Sequence, residues 1–191
     1  MTGPRAGATP GPGTGHGAGA SAGPGTPRRP DDKLLERAEL VRRYGPQAGG
    51  RAGTVVFTNG CFELLHAGHV AYLARAREMG DALVVGVNGD ASARRLAKGP
   101  GRPHVPARDR ALVVAALESV DAVCLFDEDT PAALVEDLLP AVLVKGADWE
   151  LDEIAGREVV EAAGGRVVRI PLLEGRSTSE LLRRIREETH A

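Results

Sequence analysis

Residues 54–69 of this 191-residue chain read TVVFTNGCFELLHAGH, the most informative pattern in the sequence. The stretch opens with a β-branched run, Thr54–Thr58, which predicts a short buried strand. Helical spacing begins at Gly68 and continues to Met79. Between the two, Gly60 permits backbone conformations and close approaches that a Cβ would block. The stretch therefore predicts a strand that turns directly into a helix.

The same alternation of strand and helix continues along the chain. Further strands are predicted at Leu83–Val87, Val123–Phe126, Val142–Val144 and Val167–Ile170, and further helices at Arg108–Glu118, Pro131–Leu139, Asp152–Ala163 and Ser177–Glu188. The strands are continuous apolar runs, which indicates burial on both faces of the sheet. We therefore predict an α/β fold, a Rossmann-like doubly wound parallel five-stranded sheet with helices on both faces. Ligands of such sheets bind beyond the carboxyl ends of the strands.

The composition divides the chain near residue 30. Residues 1–30 are rich in Gly, Pro and Ala and contain no Leu, Ile, Val or Phe, so we predict a disordered tail. Residues 31–191 then form one domain, with a leading helix and linker over residues 31–50. The leading helix is predicted at Asp31–Tyr44. Its apolar side is predicted to carry Leu34, Leu35, Ala38 and Val41, with Leu40 outside that side.

Charge and composition argue against several classes of protein. The net charge of −2 gives no electrostatic case for nucleic-acid binding. No apolar run approaches the roughly 18 residues of a membrane span, and the N-terminus lacks the apolar stretch of a signal peptide. Cys61 and Cys124 lie far apart and imply neither a disulfide framework nor a zinc site. A cytoplasmic location is therefore expected.

Two histidines follow the first predicted strand. His66 and His69 are three residues apart, so a helical start places both side chains on one face. Gly68 lies between them and leaves room for a ligand against the first helical turn, where free N–H groups and the helix dipole favour an anion. We therefore interpret residues 60–69 as a phosphate site. The alternatives are two polar residues near a helix cap, or a zinc site, for which no further ligand cluster accompanies the histidines.

Three further motifs lie at predicted strand ends or helix starts. Residues 87–92 (VNGDAS) follow a strand and lead into a basic loop with Lys98, a pattern that fits a solvated connector equally well. Residues 144–149 (VKGADW) follow the fourth strand and include the one tryptophan of the chain, Trp149. An exposed indole could stack on a base, but a tryptophan that covers the end of the sheet is the commoner case. Residues 175–179 (GRSTS) precede the last helix and predict an N-cap and a second anion cradle at once.

These four motifs, in this order, resemble those of the cytidylyltransferase-like nucleotidyltransferases, whose signature is an H-x-G-H loop after the first strand. Within that superfamily, residues 32–186 look most like the D-glycero-β-D-manno-heptose 1-phosphate adenylyltransferases. The resemblance implies transfer of AMP from ATP to a heptose 1-phosphate, which gives ADP-heptose and pyrophosphate, with Mg²⁺ bound to the triphosphate. Alternatives are a cytidylyltransferase acting on glycerol 3-phosphate or another alcohol phosphate, and a nucleotide-binding module without catalysis.

The resemblance also implies the roles of individual residues. The catalytic residues would be His66, His69, Lys98 and Arg176. The nucleotide would contact Thr58, Asn59, Gly60, Cys61, Phe62, Gly68, Asn88, Asp90, Lys145, Gly146, Asp148, Ser177 and Thr178.

Two positions depart from the family pattern. Ala97 is an added residue before Lys98, and Glu63 stands where most relatives have Asp. We expect Glu63 to contact the metal through the Mg-triphosphate. Because many relatives are fused to a sugar kinase, the resemblance further implies a separate sugar kinase upstream, and a homodimer is among the expected assemblies.

Overall fold

The structure is a computed structural model, and it describes residues 28–49, 52–96 and 101–189. The predicted tail therefore lies almost entirely outside the described residues, and so does Lys98. Within the described ranges, no helix is both long and apolar enough to cross a membrane.

The described residues form one parallel sheet. Its strands are β1 (Val55–Gly60), β2 (Ala82–Asn88), β3 (Ala122–Phe126), β4 (Val142–Gly146) and β5 (Arg166–Ile170). Their order is β3-β2-β1-β4-β5, and every pairing is parallel. The predicted fold class is confirmed, and the order reverses beside β1, where the chain crosses from β3 at one edge to β4 on the other side.

Helices cover both faces of this sheet, also as predicted. They are α1 (Pro30–Lys33), α2 (Arg37–Tyr44), α3 (Ala67–Arg77), α4 (Asp90–Arg95), α5 (Ala107–Ala115), α6 (Ala132–Leu138), α7 (Arg157–Ala162) and α8 (Thr178–Thr189). Short 3₁₀ turns lie at Pro46–Ala48 and Leu151–Glu153. Helices α3 and α5 pack on one apolar core, and α2, α6 and α7 pack on the other. Successive residues of β1 alternate between the two cores, so this strand is buried on both faces, whereas the edge strand β5 is buried only at Ile170.

The predicted leading helix is wrong in one respect. It is broken into α1 and α2, because Leu34 forms a parallel bridge with Val123 and the N–H of Leu35 donates to the Val123 carbonyl at 2.9 Å. The backbone there extends the edge of the sheet at β3. The new helix starts at Arg37 with a different phase, so Leu40, predicted to lie outside the apolar side, is fully buried, and Ala38 is exposed.

The predicted helix Asp152–Ala163 is also divided. It consists of the 3₁₀ turn and α7, with Gly156 between them at a φ of +88°. That left-handed conformation interrupts a helix and favours glycine. The short helix α4, which follows β2, was not predicted.

Candidate active site

A pocket of about 400 Å³ opens at the carboxyl ends of β1 and β4, beside the start of α8. Most of the predicted site residues line it: Asn59, Gly60, Cys61, Phe62, Glu63, His66, Gly68, His69, Lys145, Gly146, Asp148, Arg176, Ser177 and Thr178. The lining also includes Ser179 of the GRSTS motif, together with Tyr72, Arg102, Leu172 and Leu173, and none of these was assigned a role from the sequence. The pocket lies where the strand order reverses, which is where ligands of open α/β sheets bind.

The two histidines stack on each other at the start of α3. Their ring centroids are 3.9 Å apart with 29° between the planes, and the ring of Phe62 lies 5.4 Å from that of His69. A Cβ on Gly68 would lie 2.9 Å from His66 Nδ1 and 3.2 Å from Arg176 Cβ. The glycine therefore lets the start of α3, the stacked rings and Arg176 approach one another closely.

The electrostatics of His66 favour a neutral ring. Burial lowers its pKa from the ordinary histidine value, and the positive charge of Arg176 lowers that pKa further. Its Nδ1 atom is buried and has no hydrogen-bond partner among the described residues. Because a buried polar atom without a partner is costly, this nitrogen marks a place where a ligand would be stabilised.

On the other side of the pocket, β1 and β4 present a buried lysine. Lys145 is 6% exposed, and its Nζ donates to Asn59 Oδ1 and lies 5.0 Å from the centroid of the Trp149 ring. Trp149, predicted mainly to cover the end of the sheet, is instead 42% exposed and forms part of the pocket wall. The wall thus combines a fixed cation with an accessible aromatic face.

The helix cap predicted at the start of α8 is present, and the second predicted role, an anion cradle, stays a prediction. Ser177 Oγ accepts the N–H of Glu180 at 3.1 Å and so caps the helix. Thr178 Oγ1 donates to the Leu64 carbonyl at 3.3 Å, which ties α8 to the loop that carries the histidines. Both residues line the pocket while they make these bonds, together with Arg176.

Glu63 is buried, and both of its carboxylate oxygens accept hydrogen bonds. Its Oε1 accepts the backbone N–H of His104 at 2.9 Å, and its Oε2 pairs with the guanidinium of Arg102. Burial alone would raise the pKa of Glu63, but Arg102 and the His104 N–H outweigh burial and hold that pKa below its usual range. The predicted metal contact of Glu63 stays a prediction. Within the described residues, no group of three or more His, Cys, Asp or Glu side chains is arranged to hold a metal ion.

Thr58, Asn88 and Asp90, predicted to contact the nucleotide, are not among the described residues that line the pocket. Thr58 is fully buried, and its hydroxyl bonds with that of Tyr72 at 2.7 Å. Burial raises the pKa of the Tyr72 phenol well above its ordinary value, so this pair stays neutral.

The Asn88 amide donates to Ser92 Oγ at 2.9 Å, and Asp90 accepts from Arg110 at 2.9 Å. These bonds join the β2 turn to α4 and α5, and the nucleotide contacts of Asn88 and Asp90 stay predictions.

Arg110 is the central residue of that internal network. It is 2% exposed and donates to Asp90, to the Val105 carbonyl and to the Cys61 carbonyl. It therefore links the turn after β1 to the start of α4 and to the segment before α5. No pattern in the sequence indicates this role, since an arginine in a helix normally faces solvent.

Comparisons with known proteins agree with this geometry. The family model described as cytidylyltransferase-like matches residues 57–184. The chain is 58% identical over 133 residues to the bifunctional protein HldE of Mesorhizobium japonicum, covering 70% of this chain and 27% of that protein. It is 54% identical over 154 residues to the bifunctional protein HldE of Syntrophotalea carbinolica, covering 81% of this chain and 30% of that protein.

Among solved structures, the fold is similar to that of the lipopolysaccharide core biosynthesis protein of Thermoplasma volcanium. The TM-score is 0.55 at 30% identity, over 63% of this chain and 98% of the other. The chain spans less than a third of the length of the curated relatives it matches. With the family model matching residues 57–184, and with the stacked histidines, the buried lysine and the helix start around one pocket, the chain belongs to the cytidylyltransferase-like family.

Proposed function

We propose that this chain is an adenylyltransferase that transfers AMP from ATP to D-glycero-β-D-manno-heptose 1-phosphate and releases pyrophosphate. The observation that carries the proposal is the stacked pair His66 and His69, which faces Arg176 and the start of α8 across Gly68. Such a site offers imidazole, guanidinium and helix-terminal N–H donors to a chain of phosphates. The substantial identity to the HldE proteins supports the heptose branch of the family.

The proposed reaction is a single in-line displacement. An oxygen of the sugar 1-phosphate attacks the α-phosphorus of ATP and forms a new P–O bond. The bond from the α-phosphorus to the oxygen bridging to the β-phosphorus breaks, and its electron pair leaves with pyrophosphate. Because the nucleophile is already an anion, no strong general base is required, and catalysis consists of positioning and charge stabilisation.

Within this mechanism, His66 and His69 stabilise charge around the α-phosphate. Arg176, Ser177 and Thr178 hold the departing pyrophosphate, and Lys98 is proposed to join them. The remaining nucleotide contacts are proposed for Asn59, Gly60, Cys61, Phe62, Gly68, Lys145, Gly146 and Asp148. Thr58, Asn88 and Asp90 are proposed to support the nucleotide site through their hydrogen bonds to other side chains.

Magnesium is proposed to arrive with the triphosphate, as part of the Mg–ATP substrate. Mg²⁺ relies on substrate phosphates more than on dedicated protein ligands, and the described residues offer it no cluster of carboxylates. Its chemistry is to neutralise charge on the leaving pyrophosphate. We further propose that a sugar kinase supplies the heptose 1-phosphate, that the protein acts in the cytoplasm, and that it pairs as a homodimer.

The proposal is tested by pyrophosphate release in the presence of Mg²⁺. ATP, CTP, GTP and UTP are each paired with heptose 1-phosphate and with glycerol 3-phosphate. Release with ATP and heptose 1-phosphate alone is expected. Release with CTP and glycerol 3-phosphate would keep the mechanism and replace the substrates, and binding of ATP without release in any pairing would favour a module without catalysis.

The histidine assignment has its own test. Replacing His69 with Ala (His69→Ala) is expected to lower turnover roughly 100- to 1,000-fold, because it removes a donor that acts in the transition state. Val70→Ala is the matched control, because Val70 is the next residue of α3 and is about half exposed. Circular dichroism should show both variants folded. Near wild-type turnover in folded His69→Ala would remove the histidine from the mechanism.

A further inference from the structure

We propose that Arg102 binds the phosphate of the attacking sugar phosphate and that Glu63 is the positioning residue that holds its guanidinium in place. The inference rests on the proposed function and says which residues of the same pocket bind the acceptor, the attacking sugar phosphate. It starts from two residues that line the pocket and pair with each other there, one from the loop after β1 and one from the connection after β2.

The sheet order puts these residues on a particular side of the pocket. β1 lies between β2 and β4, and β5 lies beyond β4. Lys145 and Trp149 come from the turn after β4, and Arg176 comes from the turn after β5. Arg102 belongs to the segment between α4 and α5, which follows β2. Among the described lining residues, it is the cation that reaches the pocket from the β2 side.

The in-line geometry makes that side the entry of the nucleophile. Attacking and leaving oxygens lie on opposite sides of the α-phosphorus. Of the residues proposed to hold the pyrophosphate, those that the structure describes, Arg176 and the start of α8, lie on the β5 side. We therefore place the sugar phosphate on the β2 side of the α-phosphorus, where Arg102 lines the wall. A guanidinium there offsets the repulsion between the incoming phosphate and the triphosphate, and its planar set of N–H donors matches phosphate oxygens.

The packing around Arg102 fixes its orientation. The side chains of Arg102 and Glu63 are 9% and 4% exposed. Glu63 Oε2 accepts from both Nε and Nη2 of Arg102, while Glu63 Oε1 accepts the His104 N–H at 2.9 Å. One carboxylate therefore holds both the guanidinium plane and the backbone two residues later. A group held in this way loses little conformational freedom when a phosphate binds.

This role for Glu63 competes with a direct metal contact, and the two predict different measurements. If Glu63 binds the metal, replacing it should raise the Mg²⁺ concentration that the reaction requires. If Glu63 positions Arg102, replacing it should raise KM for the sugar phosphate. In the structure both carboxylate oxygens are engaged with residues 102–104, which favours positioning.

The experiment compares Arg102→Gln, Arg102→Lys and Glu63→Gln with the wild type. Arg157→Gln and Glu161→Gln are the matched controls, since these residues form an exposed i,i+4 pair on α7 away from the pocket. Steady-state rates give KM for heptose 1-phosphate, KM for ATP, kcat and the Mg²⁺ concentration for half-maximal rate. ATP binding is followed separately by the fluorescence of Trp149, the one tryptophan of the chain and a lining residue.

We expect Arg102→Gln to raise KM for heptose 1-phosphate roughly 10- to 100-fold, because a charge-assisted hydrogen bond is lost. The affinity for ATP should stay near the wild-type value. Arg102→Lys should recover part of this loss, because it restores the charge without the planar donors. Glu63→Gln should raise the same KM by a smaller factor and leave the Mg²⁺ dependence unchanged. Both controls should match the wild type.

Two results would overturn the inference. One is an equal rise in KM for ATP and for the sugar phosphate in Arg102→Gln, and the other is a raised Mg²⁺ requirement in Glu63→Gln. Failure of the proposed function is seen separately, as absence of wild-type turnover with heptose 1-phosphate. In that case, heptose 1-phosphate and glycerol 3-phosphate are titrated by Trp149 fluorescence into the complex with a non-hydrolysable ATP analogue. Equal affinities in wild type and Arg102→Gln would then reject Arg102 as the acceptor contact.

Discussion

The two strands that flank β1 end in similar turns, but only one of these turns lines the described pocket. β2 ends at Asn88, followed by Gly89 and Asp90, and β4 ends in Lys145 and Gly146, followed by Asp148. Both turns set a glycine among polar side chains at the carboxyl edge of the sheet. The sequence predicts nucleotide contacts at both. Only the β4 turn contributes side chains to the described pocket wall.

The difference lies in what covers each turn. A Cβ on Gly89 would lie 1.9 Å from Asp127 Oδ1, so the segment after β3 lies directly on the β2 turn. Ser92 bonds both to Asn88 and to the Glu128 carbonyl, which closes that side. A Cβ on Gly146 would meet Asp148 Oδ1 at 2.3 Å and a methyl of Leu172 at 3.2 Å, and both of those residues line the pocket.

A polar strand end is therefore not by itself a binding site. β2 lies between β1 and β3, and the turn after β3 takes up its polar groups in internal bonds. β4 lies at the reversal of strand order, where the neighbouring connections separate and leave a pocket. The β2 turn is therefore expected to matter for stability and the β4 turn for catalysis, which variants can test.

The largest effect is expected at the internal network behind the β2 turn. Arg110→Met should lower the free energy of unfolding by about 3–5 kcal/mol, because it leaves Asp90 and two partly buried carbonyls without their donor. Urea unfolding measures the loss. Arg108→Met is the matched control from the same helix, because Arg108 is largely exposed, and it should change stability little. Equal stabilities of the two variants would contradict the role assigned to Arg110.

At the β4 turn, the corresponding change should act on catalysis. Lys145→Met removes the cation that Asn59 holds in the pocket wall, and turnover is expected to fall roughly 100-fold. The free energy of unfolding should change little, because losing the interaction with Asn59 is offset by no longer burying a charge. Lys33→Met, which alters a lysine bonded to the Leu117 carbonyl away from the pocket, is the control for turnover. The opposite result, a large loss of stability with normal turnover in the folded fraction of Lys145→Met, would show that the β4 turn serves stability and not catalysis.

A milder change tests the β2 turn again. Asn88→Ala deletes the amide that donates to Ser92, so stability should fall by about 1–3 kcal/mol. KM for ATP should stay within a factor of two or so of the wild type, since Asn88 is 3% exposed and does not line the described pocket. Thermal unfolding and ATP kinetics on the same preparation give both numbers. A raised KM with unchanged stability would show that Asn88 reaches the nucleotide after all.

The sequence predicted what is determined locally. Apolar runs located the strands, and the spacing of His66, Gly68 and His69 predicted that the two imidazoles lie together at the start of a helix, because each pattern lies within a dozen residues. Ser177 as a helix cap was predicted on the same basis. Such features depend on the backbone conformation of one segment and need no knowledge of distant partners.

What the sequence did not predict depends on contacts between distant segments. Arg110 reaches a carbonyl 49 residues away, and Arg102 reaches Glu63 across 39 residues. The break before α2, which changed the phase that buries Leu40, follows from the pairing of Leu34 with the edge of β3. Residue types alone carry no sign of these pairings, so a buried arginine in the sequence looks the same as an exposed one.

The smallest effect is expected at His66, which lines the pocket, and it concerns the dependence of stability on pH. Burial and Arg176 lower its pKa in the folded protein, so between that pKa and the ordinary histidine value the unfolded chain binds more protons than the folded one. Stability should therefore decrease as the pH falls through this window and gain nothing further from His66 above it. His66→Gln should flatten this part of the profile of melting temperature against pH. Arg176→Gln should flatten it partly, because one of the two causes of the lowered pKa is removed and the larger one, burial, remains. If the slope of the profile below neutral pH is the same in wild type and His66→Gln, the neutral imidazole inferred beside the phosphate site is wrong.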